Sequence, residues 1–261
     1  MAVYEDIADE LRAEIDAGVY GPGDQLPAES DLAARFDRSV PTIRQAVGVL
    51  VGEGLVDKEH GRGNFVRTPR TRVIRTNERH QWEKDRARQP QEVRATTGAT
   101  EHDTGLTVSD LRFHAAYKEI SADQDTATLF DVCEGDPLLE RTYRTTYAQE
   151  RHPFSLVRSL LPKALVEANP DLLDATREPW PGGTQSQLHT VGIEVNDITE
   201  HVTARPPTNS EARELGLKSG VAILLLRKIS TDTTGRVVEV SDVVLPGDRT
   251  DLVFKTPLKR W

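Results

Sequence analysis

The sequence holds a single cysteine, Cys133, among its 261 residues. That excludes an internal disulfide framework and any cysteine-cluster metal site. Cys133 reads as a buried or half-buried small side chain. Long apolar runs are missing too: nothing approaches the ~20 residues a membrane helix needs. The start, Met1-Ala2-Val3-Tyr4-Glu5-Asp6, lacks the basic and apolar regions of a signal peptide. A cytoplasmic protein is expected. Catalytic equipment is absent as well, with no nucleophile motif, no metal-ligand spacing and no purposeful carboxylate pair. His80, His102, His114, His152, His189 and His201 are scattered. No catalytic residue, metal or cofactor is therefore expected.

What is present suits packed, soluble domains: 37% apolar and 29% charged residues. The length allows one large domain or two ordinary ones. The net charge of −9 hides a segregation. Residues 1–57 carry four basic and twelve acidic side chains, whereas residues 58–94 carry eleven basic and five acidic. Such a run is either a solvated face or a positive footprint for nucleic acid.

Ile7, Leu11 and Ile15 recur at helical spacing and predict a first helix ending near Gly18. Tyr20 to Asp24 is a turn by composition. Glu29 to Phe36 can form a second helix with Leu32, Ala33 and Phe36 inward. Ser39 suits an N-cap and Pro41 the first turn of a third helix. Its buried stripe is Ile43, Ala46, Val47, Leu50 and Val51, and Gly54 can end it. Two short strands, Leu55 to Lys58 and Asn64 to Arg67, then flank Glu59-His60-Gly61-Arg62-Gly63. Three helices and a two-stranded wing describe a winged helix-turn-helix.

Four blocks resemble the GntR signature in order and spacing. They are Pro22-Gly23-Asp24-Gln25-Leu26-Pro27-Ala28-Glu29-Ser30-Asp31-Leu32-Ala33, Ser39-Val40-Pro41-Thr42-Ile43-Arg44-Gln45-Ala46, Leu50 with Glu53-Gly54-Leu55, and Gly61-Arg62-Gly63-Asn64-Phe65-Val66. The resemblance implies a third helix laid in a DNA major groove. Its outward residues would be Pro41, Thr42, Arg44, Gln45 and Gly48. Arg44 suits guanine or a phosphate, and Gln45 an adenine. Ser39 and Val40 lie at the helix start, where Val40 could touch a thymine methyl. Arg35 and Arg38 are placed for phosphates. His60, Gly61, Arg62 and Gly63 form the wing tip, with Arg62 suited to a minor groove. The alternative for each arginine is a solvated surface charge. Family members often have arginine where this chain has Ser30 and Val40, so an operator sequence does not transfer.

Residues 69–106 read as a partly extended linker docked by Trp82, with Arg70, Arg72, Arg75 and Arg79 extending a positive field. Beyond it the pattern predicts an α+β domain on an antiparallel sheet, at 107–261. Strands are expected at Leu138 to Tyr147, Pro153 to Pro162, Ile193 to Ala204, Ala222 to Ser230 and Val237 to Leu245, the last two joined by a turn at Asp232 to Gly235. Short helices are expected at Leu165 to Leu173, Gln185 to Val191 and Ser210 to Leu215.

This order resembles the UTRA effector domain of HutC-type GntR regulators, over roughly residues 75–258. The matching features are Arg158-Ser159-Leu160-Leu161-Pro162, Glu211-Ala212 with Leu215, Gly235-Arg236-Val237-Val238-Glu239-Val240-Ser241, and Gly247-Asp248-Arg249. The resemblance implies a chorismate-lyase-like fold that binds a small acid, a sugar phosphate or another metabolite. It implies Arg141 and Arg144 as anion clamps, Ser159 as a hydroxyl donor and Glu239 as a polar acceptor. Gly182-Gly183-Thr184 before a helix could also offer backbone N–H groups to an anion. The alternatives are exposed cross-strand arginines and a plain loop. The tyrosine that amino-sugar-phosphate sensors often carry six residues after the matched glutamate is Leu245 here. The insert Trp180-Pro181-Gly182-Gly183 suggests a distinct pocket.

The whole implies a repressor that binds a palindromic operator in double-stranded DNA as a homodimer, is released by an effector, and has no membrane partner. The domains expected are 1–68, the linker 69–106, and 107–261. Two rivals remain: a ligand-independent dimeric repressor, for example of plasmid-transfer genes, and a lyase-like enzyme.

Overall fold

The computed structural model describes residues 3–259; residues 1–2 and 260–261, the outer ends of the two expected domains, lie outside it. Two compact units emerge. One comprises residues 1–70 with 206–212 and 217–222, and the other 71–205 with 213–216 and 223–261.

In the first unit, helices α1 (Val3–Asp16), α2 (Glu29–Phe36) and α3 (Val40–Gly52) precede strands β1 (Val56–Glu59) and β2 (Gly63–Val66). Ile7, Leu11, Leu32, Ile43, Ala46, Val47 and Leu50 meet in one core, with Val56 and Val66 from the wing. Those apolar spacings place one stripe per helix toward the same centre. Ser39 caps α3 by accepting from Thr42 N at 3.4 Å. The wing is larger than expected, because Gln25 bridges Phe65 as a third edge. Gln25 Nε2 also donates to Arg62 O at 2.8 Å. Gly63 closes the wing turn at φ 126°, and a Cβ there would stand 2.5 Å from Gln25 Nε2. Only glycine adopts that backbone at no steric cost.

The second unit begins with β3 (Val73–Thr76), followed by α4 (Arg79–Ala87), α5 (Gln91–Arg94) and α6 (Ala99–Thr104). Next come β4 (Leu111–Ser121), α7 (Gln124–Phe130), β5 (Pro137–Tyr147), β6 (Leu156–Pro162), α8 (Gly183–His189), β7 (Val195–Arg205), α9 (Asn209–Leu215), β8 (Ile223–Asp232), β9 (Val237–Pro246) and β10 (Thr250–Val253). Six strands form an antiparallel sheet in the order β4-β5-β6-β9-β8-β7. β10 pairs with β3 in parallel. The expected α+β class is what folds.

Four expectations need correction. The segment 69–106 is not an extended linker: from residue 71 it belongs to the second unit and carries a strand and three helices. Its arginines do not form an open positive field either. Arg72 pairs with Asp251, Arg75 with Glu200, and Arg79 with Asp103. Charge density signalled pairing partners far along the chain, which composition cannot locate. Residues 165–173 form two 3₁₀ turns, Lys163–Leu165 and Pro170–Leu173, rather than one helix, because Pro170 cannot donate within it. Cys133 is exposed.

The β3–β10 pair is pinned by Arg249, whose side chain is fully buried. Its fork donates to both Glu150 oxygens at 2.8 and 3.0 Å, and its Nε donates to Thr71 O at 2.8 Å. The guanidinium also stacks 4.4 Å from the Phe154 ring. We expect Arg249→Ala to lower the unfolding free energy by about 3 kcal/mol in urea titrations, because the buried fork and its bonds to Glu150 and Thr71 O are lost. An unchanged midpoint would contradict this.

Candidate functional site

Two surfaces gather the residues singled out in the sequence. On α3, Pro41, Arg44, Gln45 and Gly48 are exposed and share one face, opposite buried Ile43, Ala46, Val47 and Leu50. Val40 and Thr42 are half-buried at the helix start beside the Ser39 cap. Gly48 leaves this face flat, with nothing within 4 Å of its Cβ position. Arg44 is 58% exposed and pairs with Glu29 of α2 at 2.8 Å. That bond, with Lys58 nearby, holds the Glu29 carboxylate below its ordinary value. A half-exposed pair of this kind contributes at most ~1 kcal/mol, so Arg44 can leave it for a stronger acceptor.

Arg62 projects from the wing tip, 73% exposed, and pairs with Glu59. His60 and Gly61 are exposed beside it, and Gly63 is half-buried. Arg38 is exposed and donates to Asp37 O at 2.7 Å. Arg35 stands apart from these. It is bonded to Glu10 and Glu14 of α1, so it stitches two helices together. Its helix spacing could not reveal that, since both partners lie on another element.

The second surface is a cavity of about 550 Å³ within the second unit. Strand alternation decides which residues reach it. One face of the sheet presents Tyr143, Val157, Lys228, Glu239, Ser241 and Val243 to it. Residues of β3, α4 and 94–103 form another wall, and the loop 178–184 with Gln187 a third.

Arg141, Ser159, Thr184 and Glu239 come together here. Arg141 is buried, and its guanidinium donates to Gln187 Oε1 at 2.7 Å, Ser159 Oγ at 2.8 Å, Glu239 Oε1 at 2.9 Å and Thr184 Oγ1 at 3.4 Å. Glu239 also takes Lys228 Nζ at 2.9 Å. Burial raises the pKa of Glu239, but Lys228 and Arg141 outweigh it and bring it down to about 2. Arg141 is thus the internal counter-charge of Glu239, and most of its fork is already used.

Arg144 is not part of this site. Three residues along a strand lies on the opposite face, and Arg144 pairs there with Glu214 at 2.5 Å. The expectation of two clamping arginines fails on this parity. Sequence reasoning also missed Lys228, Gln187 and Glu178. Lys228 was legible in principle, lying two residues before Ser230, which pairs with Glu239 across the ladder. Gln187 lies one helical turn from Thr184. Glu178 had no signal.

Glu178 is encircled by neutral donors. Its Oε1 accepts from Tyr143 Oη at 3.1 Å, from Gln187 Nε2 at 2.9 Å and from Tyr117 Oη. Its Oε2 accepts from Trp180 N at 2.6 Å. Burial pushes Tyr117 up to about 12 and Tyr143 well above its ordinary value, so both hydroxyls keep their protons. Among the described residues no group of three candidate metal ligands exists, and no helix is long and apolar enough to cross a membrane.

The depressed Glu239 pKa sets a pH dependence. An unfolded glutamate titrates near ~4.3. The stabilisation from Glu239 is therefore complete above that value and is lost as the pH falls toward about 2. Glu239→Gln is expected to flatten the acid side of the stability profile between those limits. Identical profiles for both proteins in acid denaturation would contradict the buried pairing.

Comparison with known proteins agrees with this division. Residues 3–66 match the gntR family of bacterial regulatory proteins, and residues 116–251 match the UTRA domain. An uncharacterised HTH-type transcriptional regulator of Streptomyces coelicolor is 28% identical over 254 residues, covering 94% of this chain and 89% of the relative. The HTH-type transcriptional repressor NagR of Bacillus subtilis is 24% identical over 250 residues, covering 95% and 91%. The histidine utilization repressor of Klebsiella aerogenes is 37% identical over 67 residues, covering 26% of this chain and 28% of the relative. A crystal structure of a GntR-family transcriptional regulator shares the fold with a TM-score of 0.68 at 24% identity, covering 99% of both chains. These are regulators rather than enzymes, which removes the lyase-like alternative. With one family matched on the helical unit and the other on the sheet, the chain belongs to the GntR regulators of the HutC branch and is a DNA-binding transcription regulator.

Proposed function

We propose that the chain is a cytoplasmic repressor that binds a palindromic operator as a homodimer and is released when a small molecule enters the cavity of the second unit. The observation that carries this reading is the cavity itself, about 550 Å³ with mixed aromatic and polar walls. That volume suits a metabolite-sized ligand. A ligand-independent repressor has no use for such a space. The segment at 73–103 both lines the cavity and continues in sequence from the wing. Ligand contacts to that segment can therefore shift the population of DNA-competent conformers.

On the DNA side, α3 reads the major groove through Arg44 and Gln45, with Val40, Pro41 and Thr42 against the strand at the helix start and Ser39 holding the cap. Arg38 meets a phosphate, while Arg62, His60 and the Gly61 and Gly63 backbone meet the flanking groove. Arg35 contributes by bracing α1 and α2. On the ligand side, Thr184 and Glu239 contact the effector, and Arg141 and Ser159 act behind Glu239. A dimer assembled mainly through residues 110–261 supplies the two half-sites, since a single winged helix covers too few base pairs for useful specificity.

Two substitutions separate the roles of helix and wing. Arg44→Ala should cost ~1–3 kcal/mol at one operator position and relax base preference there. Arg62→Ala should weaken specific and nonspecific duplexes alike and lower the salt slope by about one. Both proteins should keep the wild-type melting temperature. Binding to operator variants across a salt series checks this, and an Arg44→Ala protein with unchanged affinity and preference would refute the helix assignment. A thermal-shift screen of metabolites on the whole protein tests the sensor reading. At least one compound should raise the melting temperature and release the operator, and a screen without any such compound would favour the ligand-independent rival.

A further inference from the structure

We infer that the cavity takes an aromatic ligand bearing a positively charged amino group, held at Glu178, rather than a phosphorylated or carboxylate ligand. This rests on the reading of the cavity as the effector site.

Most basic side chains on the cavity wall are already bonded. Arg79 pairs with Asp103 at 2.5 Å, Lys228 with Glu239 at 2.9 Å, and Arg75 with Glu200 at 3.5 Å. Arg94 is tied to Gln89 O at 3.0 Å, to Pro181 O at 2.8 Å and to the Ser186 hydroxyl. Arg141 spends its fork on Glu239, Ser159, Thr184 and Gln187. Of these, only Arg94 bonds neutral oxygens alone, so an incoming dianion would find one guanidinium without a carboxylate partner and would have to break existing pairs to engage a second. Breaking a buried pair leaves a charge uncompensated, which is strongly unfavourable. Five lining carboxylates face four lysines and arginines, with Arg141, bonded to Glu239, as a fifth cation beside the wall.

Glu178 is where the ligand's cation would bind. Its bonds all come from neutral groups: two tyrosine hydroxyls, an amide side chain and a backbone N–H. Glu101 on the same wall likewise takes a neutral donor, Gly98 N–H, but no tyrosine hydroxyl bonds it. Arg141 lies close enough to feel the charge of Glu178, but its Nη donors are bonded to Gln187, Ser159, Thr184 and Glu239. A carboxylate offers about four acceptor sites, and Oε2 takes one of the four bonds while Oε1 takes three. Oε2 therefore retains room for an ammonium. Aromatic residues adjoin it: Tyr117, Tyr143 and Trp180 each bond Glu178. Phe113 stands 5.8 Å from the Tyr143 ring in the same cavity. Trp180 also carries a buried Nε1 with no hydrogen-bond partner among the described residues. Ring faces stack on an aromatic body and attract a cation through their quadrupoles. A carboxylate among aromatic faces is the chemistry that recognises an arylalkylamine.

The test uses size-matched probes of opposite charge. The full-length protein is titrated calorimetrically with tryptamine, with indole-3-acetate and with inorganic phosphate. Tryptamine should bind at least tenfold more tightly than indole-3-acetate, and phosphate should not compete with it. Glu178→Gln should bring the two indole probes within about twofold of one another. If Glu178→Gln does not fold, the wild-type ratio still decides, and Phe113→Leu should weaken tryptamine several-fold while leaving indole-3-acetate within twofold. Preferential binding of indole-3-acetate or phosphate would overturn the amine assignment and leave the cavity standing as an effector site. No binding of any probe would overturn the amine assignment as well, whereas the sensor reading falls only with the metabolite screen.

Discussion

The buried pair of Arg141 and Glu239 sets the terms for the second unit. Two opposite charges, both nearly inaccessible, sit on the face of an antiparallel sheet 2.9 Å apart. Such a pair is tolerable only if its remaining valences are filled and water is kept from competing. Ser159 and Ser230 fill most of them from neighbouring strands, Ser241 from the strand of Glu239 itself, and Gln187 and Thr184 from α8. The rest of the architecture encloses that face. The helices at 79–104 and the loop at 178–184 line the space over it. The cavity is what remains when a charged sheet face is covered by elements that carry their own charges.

This arrangement separates two jobs that arginines can do. Arg141 and Arg249 are buried and hold the fold by bidentate or multiple bonds. Arg44 and Arg62 are exposed and hold only surface carboxylates, which cost little to exchange for DNA acceptors. The first kind is expensive to remove, the second cheap to redirect. A regulator needs both: rigid elements to carry a signal and loosely held cations to deliver it to a polyanion.

Much of this was legible from spacing. The helix periodicities and the Ser39 cap placed α1 to α3, and Gly61 and Gly63 placed the wing, because local backbone chemistry decides those elements. Strand alternation marked β5, β8 and β9. The misses came from long-range pairing. The segment 69–106 looks like a polar linker because its arginines carry no apolar pattern, yet Arg75 and Arg79 find buried carboxylates at Glu200 and Asp103. β4 was missed although Leu111, Phe113, Ala115 and Tyr117 alternate with exposed Arg112, His114, Ala116 and Lys118, the period of a strand. In the site, Arg141, Ser159 and Glu239 were singled out by resemblance and Thr184 by its glycine-rich turn, and they converge. Arg144 was singled out with them and does not, for the simple reason of strand parity. Lys228 shares the strand face of Ser230, whereas Glu178 is brought in only by tertiary folding.

The central claim is that filling the cavity controls the operator. Thr145 lines it from β5, and no side-chain hydrogen bond engages it. Fluorescence anisotropy of a labelled operator duplex, titrated with the wild type and with Thr145→Trp in the presence of an effector found by screening, measures this directly. The account predicts that the filled variant no longer responds to the effector concentration that releases the wild type. Release of Thr145→Trp at the same effector concentration as the wild type would contradict it.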